Sequence, residues 1–405
     1  MYKTKTPLRF HIHGTHHTQT RAFYNSDAFC MQILHMCDVL TKMGHTVFHY
    51  GNAGSNPNCT ENVIVSDKRE FVEAYPEGHY RHQQFSHQNT GIDAAPQFCA
   101  KWDERVIDEI HQRFQSGDFI LNISGTEYNQ ISNSFEPRGA ILVEPGVGYW
   151  HTNTNTHRIF VSYGWQGYHY GNGRPQAGGQ AMGAQDFPNW QDAVIHYFVD
   201  EEQFEYSEDK EDYAFFIARF NSDKGPMVAI ETVERYRKET GHDLKLKMAG
   251  SGHEWLEISE EQKEWCEMLG YIEPDEKTEL MKKAKVLFAP TLYFEPFGAI
   301  VAEANLSGTP VITSDWGGFA ESVLHGVTGY RCRTHEQFVW ALKNIDKIKA
   351  KDCRNWALNN FTKKSQGPKY DEYFTSLHRM KTSSDGWYQL HNDREELEWL
   401  KIRLP

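Results

Sequence analysis

Short apolar runs alternate with longer amphipathic stretches along this chain, the pattern of strands and helices taking turns. The opening LRFHIHG reads as a strand, THHTQTRAFYNSD as a loop, AFCMQILHMCDVLTKMG as a helix and HTVFHYG as the next strand. In the helix, Ile33, Leu34, Cys37 and Leu40 recur at helical spacing, Ser26 or Asp27 supplies the cap, and Gly44 ends it. Residues 52–98 are polar, rich in His and Gln and weakly periodic, which predicts irregular structure with short elements. Apolar runs return in DFILNISG, GAILVEPGVGYW, HRIFVSYGW and DAVIHYFV, each bounded by Gly or polar turns, as strands buried on both faces are. The stretch GYHYGNGRPQAGGQAMGAQDFPNW, rich in Gly and Gln without periodicity, predicts a long loop.

After the charged connector DEEQFEYSEDKED the alternation restarts with YAFFIARF, the helix PMVAIETVERYRKETG and the strand LKLKMAG, then LGYI, KVLFAP, TPVITSD and TGYRC with helices between them. Strands separated by helices predict a second parallel sheet with right-handed crossovers. A length of 405 residues agrees with two domains. The expected division is 1–203, 204–370 and a helical tail over 371–405 that packs outside the second core.

Composition narrows the function classes. The formal charge of −13 argues against a protein that coats nucleic acid, although it leaves room for a local basic cleft. No run of about 18 apolar residues could cross a bilayer, and MYKTKTPLRF lacks the apolar region of a secretory signal. The seven cysteines contain no CxxC pair, which fits reduced thiols and a cytoplasmic setting and predicts no structural zinc. Aromatics at 14% suit carbohydrate handling, because apolar sugar faces stack on rings, and suit core packing equally well.

The densest chemistry lies in TLYFEPFGAIVAEANLSGTPVITSDWGGFAESVLHGVTGY, residues 291–330. With a helix starting near Phe297, Glu303 lies two turns in and Glu295 precedes the N-terminus, so both carboxylates can face one cleft. Phe297, Gly298 and Ala299 then fall where a helix presents unpaired N–H groups that favour a phosphate. A single Glu at such a turn is most simply a capping acid; the joint pattern says more.

That segment resembles the Glu-x7-Glu motif of family-4 retaining glycosyltransferases of the GT-B fold, the glycosyl transferases of group 1. The resemblance extends to ARFNSDKG, which places Arg219, Lys224 and Gly225 where the family has Gly-Arg followed by Lys-Gly, with Ala218 replacing the usual Gly. It includes the Gly loop of LKMAGSG, with Gly250, and the stretch LGYIEPDEKTELMKKAKVLFAPTLY. The implied fold is α/β, two Rossmann-like domains facing each other across a cleft, the N-terminal one on the acceptor side and the C-terminal one binding a nucleotide sugar. By that likeness Arg219 and Lys224 would hold the diphosphate, and Tyr271 and Ile272 would line the base pocket. Glu303 would bind the ribose hydroxyls, and Glu295 with the Phe297–Ala299 amides would meet sugar and phosphate. Two cations on the leaving group would place charge where it develops in the reaction. The implied donor is a UDP- or GDP-sugar, with no cofactor and no metal required. GVGYW, RIFVSYGW, TLYFEPFG and DWGGF resemble a subgroup found in bacteriophage and bacterial genomes, for which host cytoplasm is the setting of a phage-encoded chain.

In the N-terminal half, Gly14 follows the first strand where the family has a Gly-containing loop near donor sugar and acceptor. Where many members carry a His in a later strand, ILVEPGVGYW offers Glu144, either an acceptor for a sugar hydroxyl or a loop carboxylate without a role. His11, His13, His16 and His17 allow a metal reading, but no carboxylate or Cys in the segment completes a ligand set, and packing or polar contacts explain them better. The acceptor stays open among glycan, protein, small metabolite and hydroxymethylated DNA base. A sugar-phosphate enzyme of similar shape and a non-catalytic binding protein are the competing functions.

Overall fold

The computed structural model describes residues 6–24, 27–75, 95–153, 156–172 and 189–382. Contacts divide the chain into two compact units, the second taking over at Tyr197 and the first resuming at Gln366. Among the described residues no helix is long and apolar enough to cross a membrane.

The first unit holds β1 (Arg9–His13), β2 (Thr46–Asn52), β3 (Glu61–Ser66), β4 (Phe119–Leu121), β5 (Ile141–Val147), β6 (His157–Phe160) and β7 (Ala193–Val194). They form one parallel sheet in the order β3-β2-β1-β4-β5-β6-β7. Because helices cover both faces, β1 buries His11 and His13 as fully as Phe10 and Ile12. Burying an imidazole requires partners. His11 has them in Asp118 Oδ2 at 3.0 Å and Tyr50 Oη at 2.7 Å. The first helix, Ala28–Lys42, starts as its sequence predicts, with Asp27 Oδ1 accepting from the Cys30 N–H at 2.8 Å.

Two expectations change here. The predicted strand HRIFVSYGW ends at Phe160, and a helix, Tyr163–Asn172, reaches into the stretch expected as a loop. Gly164, Gly167 and Gly171 conceal it in the sequence, yet it buries Trp165 and His169. Residues 173–188 of that loop lie outside the described residues. The C-terminal helix Lys363–Thr382 does not lie against the second core as expected: from Gln366 it belongs to the first unit. Phe374 sits 4.9 Å from the Phe10 ring and 5.2 Å from that of Phe119, and Asp371 pairs with His45 at 3.1 Å. The aromatic face of the helix finds its complement on β1 and β4. The rest of the expected tail, residues 383–405, lies outside the described residues.

The second unit holds β8 (Glu211–Ile217), β9 (Lys245–Ala249), β10 (Cys266–Gly270), β11 (Ala284–Ala289), β12 (Val311–Ser314) and β13 (Gly329–Cys332). This sheet is also parallel, in the order β10-β9-β8-β11-β12-β13. Its core takes the apolar residues of the predicted runs, Ala214 and Phe216 from β8, Leu246 and Met248 from β9, Val286 and Phe288 from β11. The strand order turns around at β8, which pairs β9 on one side and β11 on the other. The chain leaves the C-terminal ends of these strands in opposite directions, and a parallel sheet opens a crevice at such a switch point.

Truncation at the aromatic cluster should cost what cavity formation costs. Phe374→Ala is expected to lower unfolding stability by about 3–5 kcal/mol, read from denaturant unfolding; a change below about 1 kcal/mol would show that the helix does not depend on this contact.

Candidate functional site

A cavity of about 170 Å³ lies at the switch point of the second sheet. Its floor is the C-terminal ends of β8 and β11: Phe216, Ile217 and Ala218 from one, Phe288 and Ala289 from the other. Lys224, Glu295, Gly298, Ala299 and Ile300 complete the wall with Phe319. Three loops bring these groups together.

The first loop follows β8. Asn221 accepts from the Lys224 N–H at 3.0 Å and closes a single 3-10 turn, Ser222–Lys224, after which Gly225 starts the helix Pro226–Thr240. This turn aims Lys224 into the cavity, and the Leu292 N–H bonds Asp223 O at 2.7 Å, tying the turn to the second loop. The second loop, after β11, carries Tyr293 and Glu295. Lys224 Nζ lies 2.8 Å from Glu295 Oε2 and donates to Tyr293 Oη at 2.6 Å, while the Tyr293 hydroxyl donates to the same Glu295 oxygen at 2.6 Å. Burial, reinforced by the Glu295 charge, pushes the Tyr293 phenol well above its ordinary range, and the Arg219 guanidinium acts against that.

The third loop follows β12. The Gly318 N–H bonds Glu295 O at 2.7 Å and Trp316 Nε1 bonds Tyr293 O at 3.1 Å. A Cβ on Gly317 would stand 2.4 Å from Glu295 O, so only glycine permits this approach. Gly298 has φ +81° and a Cβ there would meet the Phe319 ring at 2.3 Å, which again restricts the position to glycine.

From Gly298 the helix Ala299–Leu306 departs. It begins two residues later than the sequence predicts, so Glu303 lies one turn in rather than two. Ala299 and Ile300 line the cavity and stand in the first turn, whose N–H groups have no helical carbonyl to satisfy them. At the other end, Arg354 donates to Leu306 O, and Lys210 Nζ donates to Ser307 O at 3.2 Å and Lys282 O at 2.8 Å. Cations at the C-terminus match the helix macrodipole. Burial brings the Lys210 ammonium down to about 8.

The cavity thus gathers Lys224, Glu295, Gly298 and Ala299 from the predicted residues. Arg219 stands exposed just past the Ala218 wall, close enough for its charge to act on Tyr293. Gly250 supports that wall, its missing Cβ falling 1.8 Å from Ala218 O. Phe297 turns inward, buried against Tyr197 and Phe361 at ring distances of 5.9 and 5.3 Å. Glu303 pairs with Lys277 Nζ at 2.9 Å, outside the cavity lining. Ile272 is buried and Tyr271 half-buried in the turn after β10. Sequence reasoning missed Tyr293 and Lys277: the first lies within the quoted motif two residues before Glu295, whereas nothing in the sequence couples Lys277 to Glu303.

In the first unit, Gly14 donates its N–H to Tyr50 O at 2.7 Å and is buried behind β1. Glu144 is fully buried on β5. Its Oε1 accepts from the Asn153 N–H at 2.7 Å and Thr156 Oγ1 at 2.9 Å, and its Oε2 from Tyr149 Oη at 2.9 Å. Both oxygens therefore accept from the loop after β5. Burial pushes Glu144 up to about 7 despite these donors. The histidines are each engaged separately. His16 meets Asp103 at 2.8 Å and His17 meets Asp27 at 2.9 Å, while burial brings His13 down to about 4. Among the described residues no three His, Cys, Asp or Glu side chains gather as metal ligands.

Comparison with known proteins falls mainly on the second unit. Residues 198–362 match the model of the family Glycosyl transferases group 1. A glycogen synthase of Mycobacterium tuberculosis is 31% identical over 122 residues, 29% of this chain and 29% of that protein, so the match spans less than a third of the relative's length. Over the whole chain the likeness is structural. A sucrose-phosphate synthase from Thermosynechococcus elongatus superposes with a TM-score of 0.63 at 15% identity, covering 91% of this chain and 99% of that one. The Anabaena protein HepE, solved in complex with UDP and glucose, gives 0.59 at 15% identity, covering 91% and 100%. These structural likenesses establish the α/β fold as GT-B.

The Glu144 carboxyl makes a pH prediction. Its folded pKa of about 7 exceeds the ordinary 4.5, so the folded chain holds the proton more tightly than the unfolded one. Its stabilising contribution is complete below about pH 4.5 and is lost as pH rises toward 7. Melting temperatures of the native chain and Glu144→Gln, compared from pH 4.5 to 8, should show the native chain losing ground to the variant with rising pH; a constant difference would rule out the raised value.

Proposed function

We propose that this chain is a glycosyltransferase that moves a sugar from a nucleoside diphosphate donor to a hydroxyl acceptor with retention of anomeric configuration. The observation that carries the reading is the cavity at the β8/β11 switch, where the Lys224 ammonium and the first turn of the helix Ala299–Leu306 converge beside Glu295. An ammonium and a helix N-terminus together favour a phosphate group.

In the proposed reaction the diphosphate occupies this cavity, with Lys224, Arg219 and the Ala299 and Ile300 N–H groups taking up charge as the bond from the anomeric carbon to the phosphate oxygen breaks. Such groups act most strongly on charge that develops in the transition state. Glu303 receives the ribose hydroxyls, Tyr271 and Ile272 border the base, and Glu295 meets the donor sugar. The acceptor oxygen attacks the face from which the diphosphate departs, through an oxocarbenium-like state, and its proton leaves with the diphosphate. No carboxylate nucleophile is needed, which sets Glu295 and Glu303 apart from the facing carboxylate pair of a glycosidase. No metal is assigned to the site; Lys224 and Arg219 supply the positive charge. UDP and GDP are the favoured nucleotides, and the UDP complex of HepE supports the first of them. All seven cysteines are free thiols, which supports a cytoplasmic setting.

A thermal-shift series with UDP-, GDP- and ADP-sugars tests the donor class, since a ligand that binds the folded state raises the melting temperature. Lys224→Ala and Arg219→Ala should each abolish the shift seen with the best donor, and an unchanged shift would reject the diphosphate assignment. Glu303→Ala should weaken nucleotide binding. Glu295→Ala should mainly lower turnover, measured as nucleoside diphosphate release.

A further inference from the structure

Lys224 has two roles that compete with one another. It lines the cavity together with the open turn of the helix Ala299–Leu306, where a diphosphate would sit, and its ammonium is already shared between Glu295 Oε2 at 2.8 Å and Tyr293 Oη at 2.6 Å. A lysine ammonium has three donors and no acceptor, and both of these contacts pull it toward the loop after β11. Glu295 also lines the cavity. A phosphate bound there would meet a carboxylate of like charge at close range, and like charges that share a site disfavour each other's ionised forms.

We propose that Glu295 competes with the diphosphate for Lys224, so that the carboxylate weakens the hold on the nucleotide product and Tyr293 keeps the lysine within reach of both anions. This rests on the diphosphate reading of the cavity given above. Glu295 thereby gains a function beyond its contact with the donor sugar: it offers Lys224 an internal anion when the leaving group departs. Tyr293 is a positioning residue in this exchange. Its hydroxyl accepts from Lys224 and donates to Glu295, and its backbone is pinned by Trp316 Nε1 at 3.1 Å. Being neutral, the phenol orients the ammonium without competing for its charge.

The probes are UDP and GDP, which lack the donor sugar and so remove that contact of Glu295 from the measurement. Calorimetric binding to the native chain, Glu295→Gln, Tyr293→Phe and Lys224→Met separates the possibilities, with Glu295→Ala as a second variant should the amide fold poorly. Loss of the carboxylate is expected to tighten nucleotide binding about tenfold, corresponding to about 1.4 kcal/mol. Lys224→Met should weaken binding at least tenfold, and Tyr293→Phe should stay within about threefold of native. If Lys224→Met weakens binding while Glu295→Gln leaves it equal or weaker, the competition is refuted and the diphosphate reading stands. A gain in Tyr293→Phe as large as that in Glu295→Gln would attribute the effect to loosened packing and would also refute it. Should Lys224→Met bind as the native chain does, or the native chain bind neither nucleotide, the reading of the cavity fails and the competition fails with it.

Discussion

One ammonium ties the second unit's site together. Lys224 links the loop after β8 to the loop after β11 through Glu295 and Tyr293, and those residues in turn rest on the loop after β12 through Trp316 and Gly318. With about a fifth of its side chain exposed against 13% for Glu295, the pair is screened from bulk water on most sides. An ion pair so placed is held by geometry more than by net energy, because the cost of desolvating both charges offsets much of their attraction. The backbone around it supplies that geometry.

The backbone can do so because the sheet is parallel and turns around at β8. Every strand delivers its C-terminal loop to the same edge, and at the switch point the loops after β8 and β11 part to leave room between them. The approach of the β12 loop to Glu295 then depends on the missing side chain of Gly317. Packing this close leaves little freedom for any one loop to shift alone. The cations Lys210 and Arg354 hold the far end of the helix Ala299–Leu306, so both termini of that helix are fixed by specific contacts.

Much of this arrangement was legible before any coordinates. The alternation of buried strands and helices announced two parallel sheets, Ser26 or Asp27 announced the first cap, and the resemblance carried by ARFNSDKG and TLYFEPFG pointed to Lys224 and Glu295, which the structure brings together. Local signals of this kind survive because propensity, capping and turn chemistry agree with the final fold. What escaped depended on long-range pairing. The helix Tyr163–Asn172 carries three glycines and forms because burial of Trp165 and His169 outweighs their poor propensity. The C-terminal helix could have docked on either core by its pattern alone; the partners of Phe374 and Asp371 lie more than 250 residues earlier in the chain. Glu144 takes three donors from the loop that follows it, contacts that its place in the sequence does not announce. The Lys277–Glu303 pair joins two helices whose separation no periodicity encodes.

The first turn of the helix Ala299–Leu306 borders the cavity, and the main-chain N–H groups of a first turn are the same whatever side chains surround them. On the proposed reading, the part of the donor common to all nucleotide sugars is therefore met partly by main-chain atoms that side-chain substitution leaves in place, beside the side chains of Lys224 and Arg219. The parts that differ, base and sugar, fall to separate side chains around the turn after β10 and the loop after β11. Such a division makes donor preference a detachable trait: a lineage could change its nucleotide by altering a few peripheral residues while the departure chemistry stays intact.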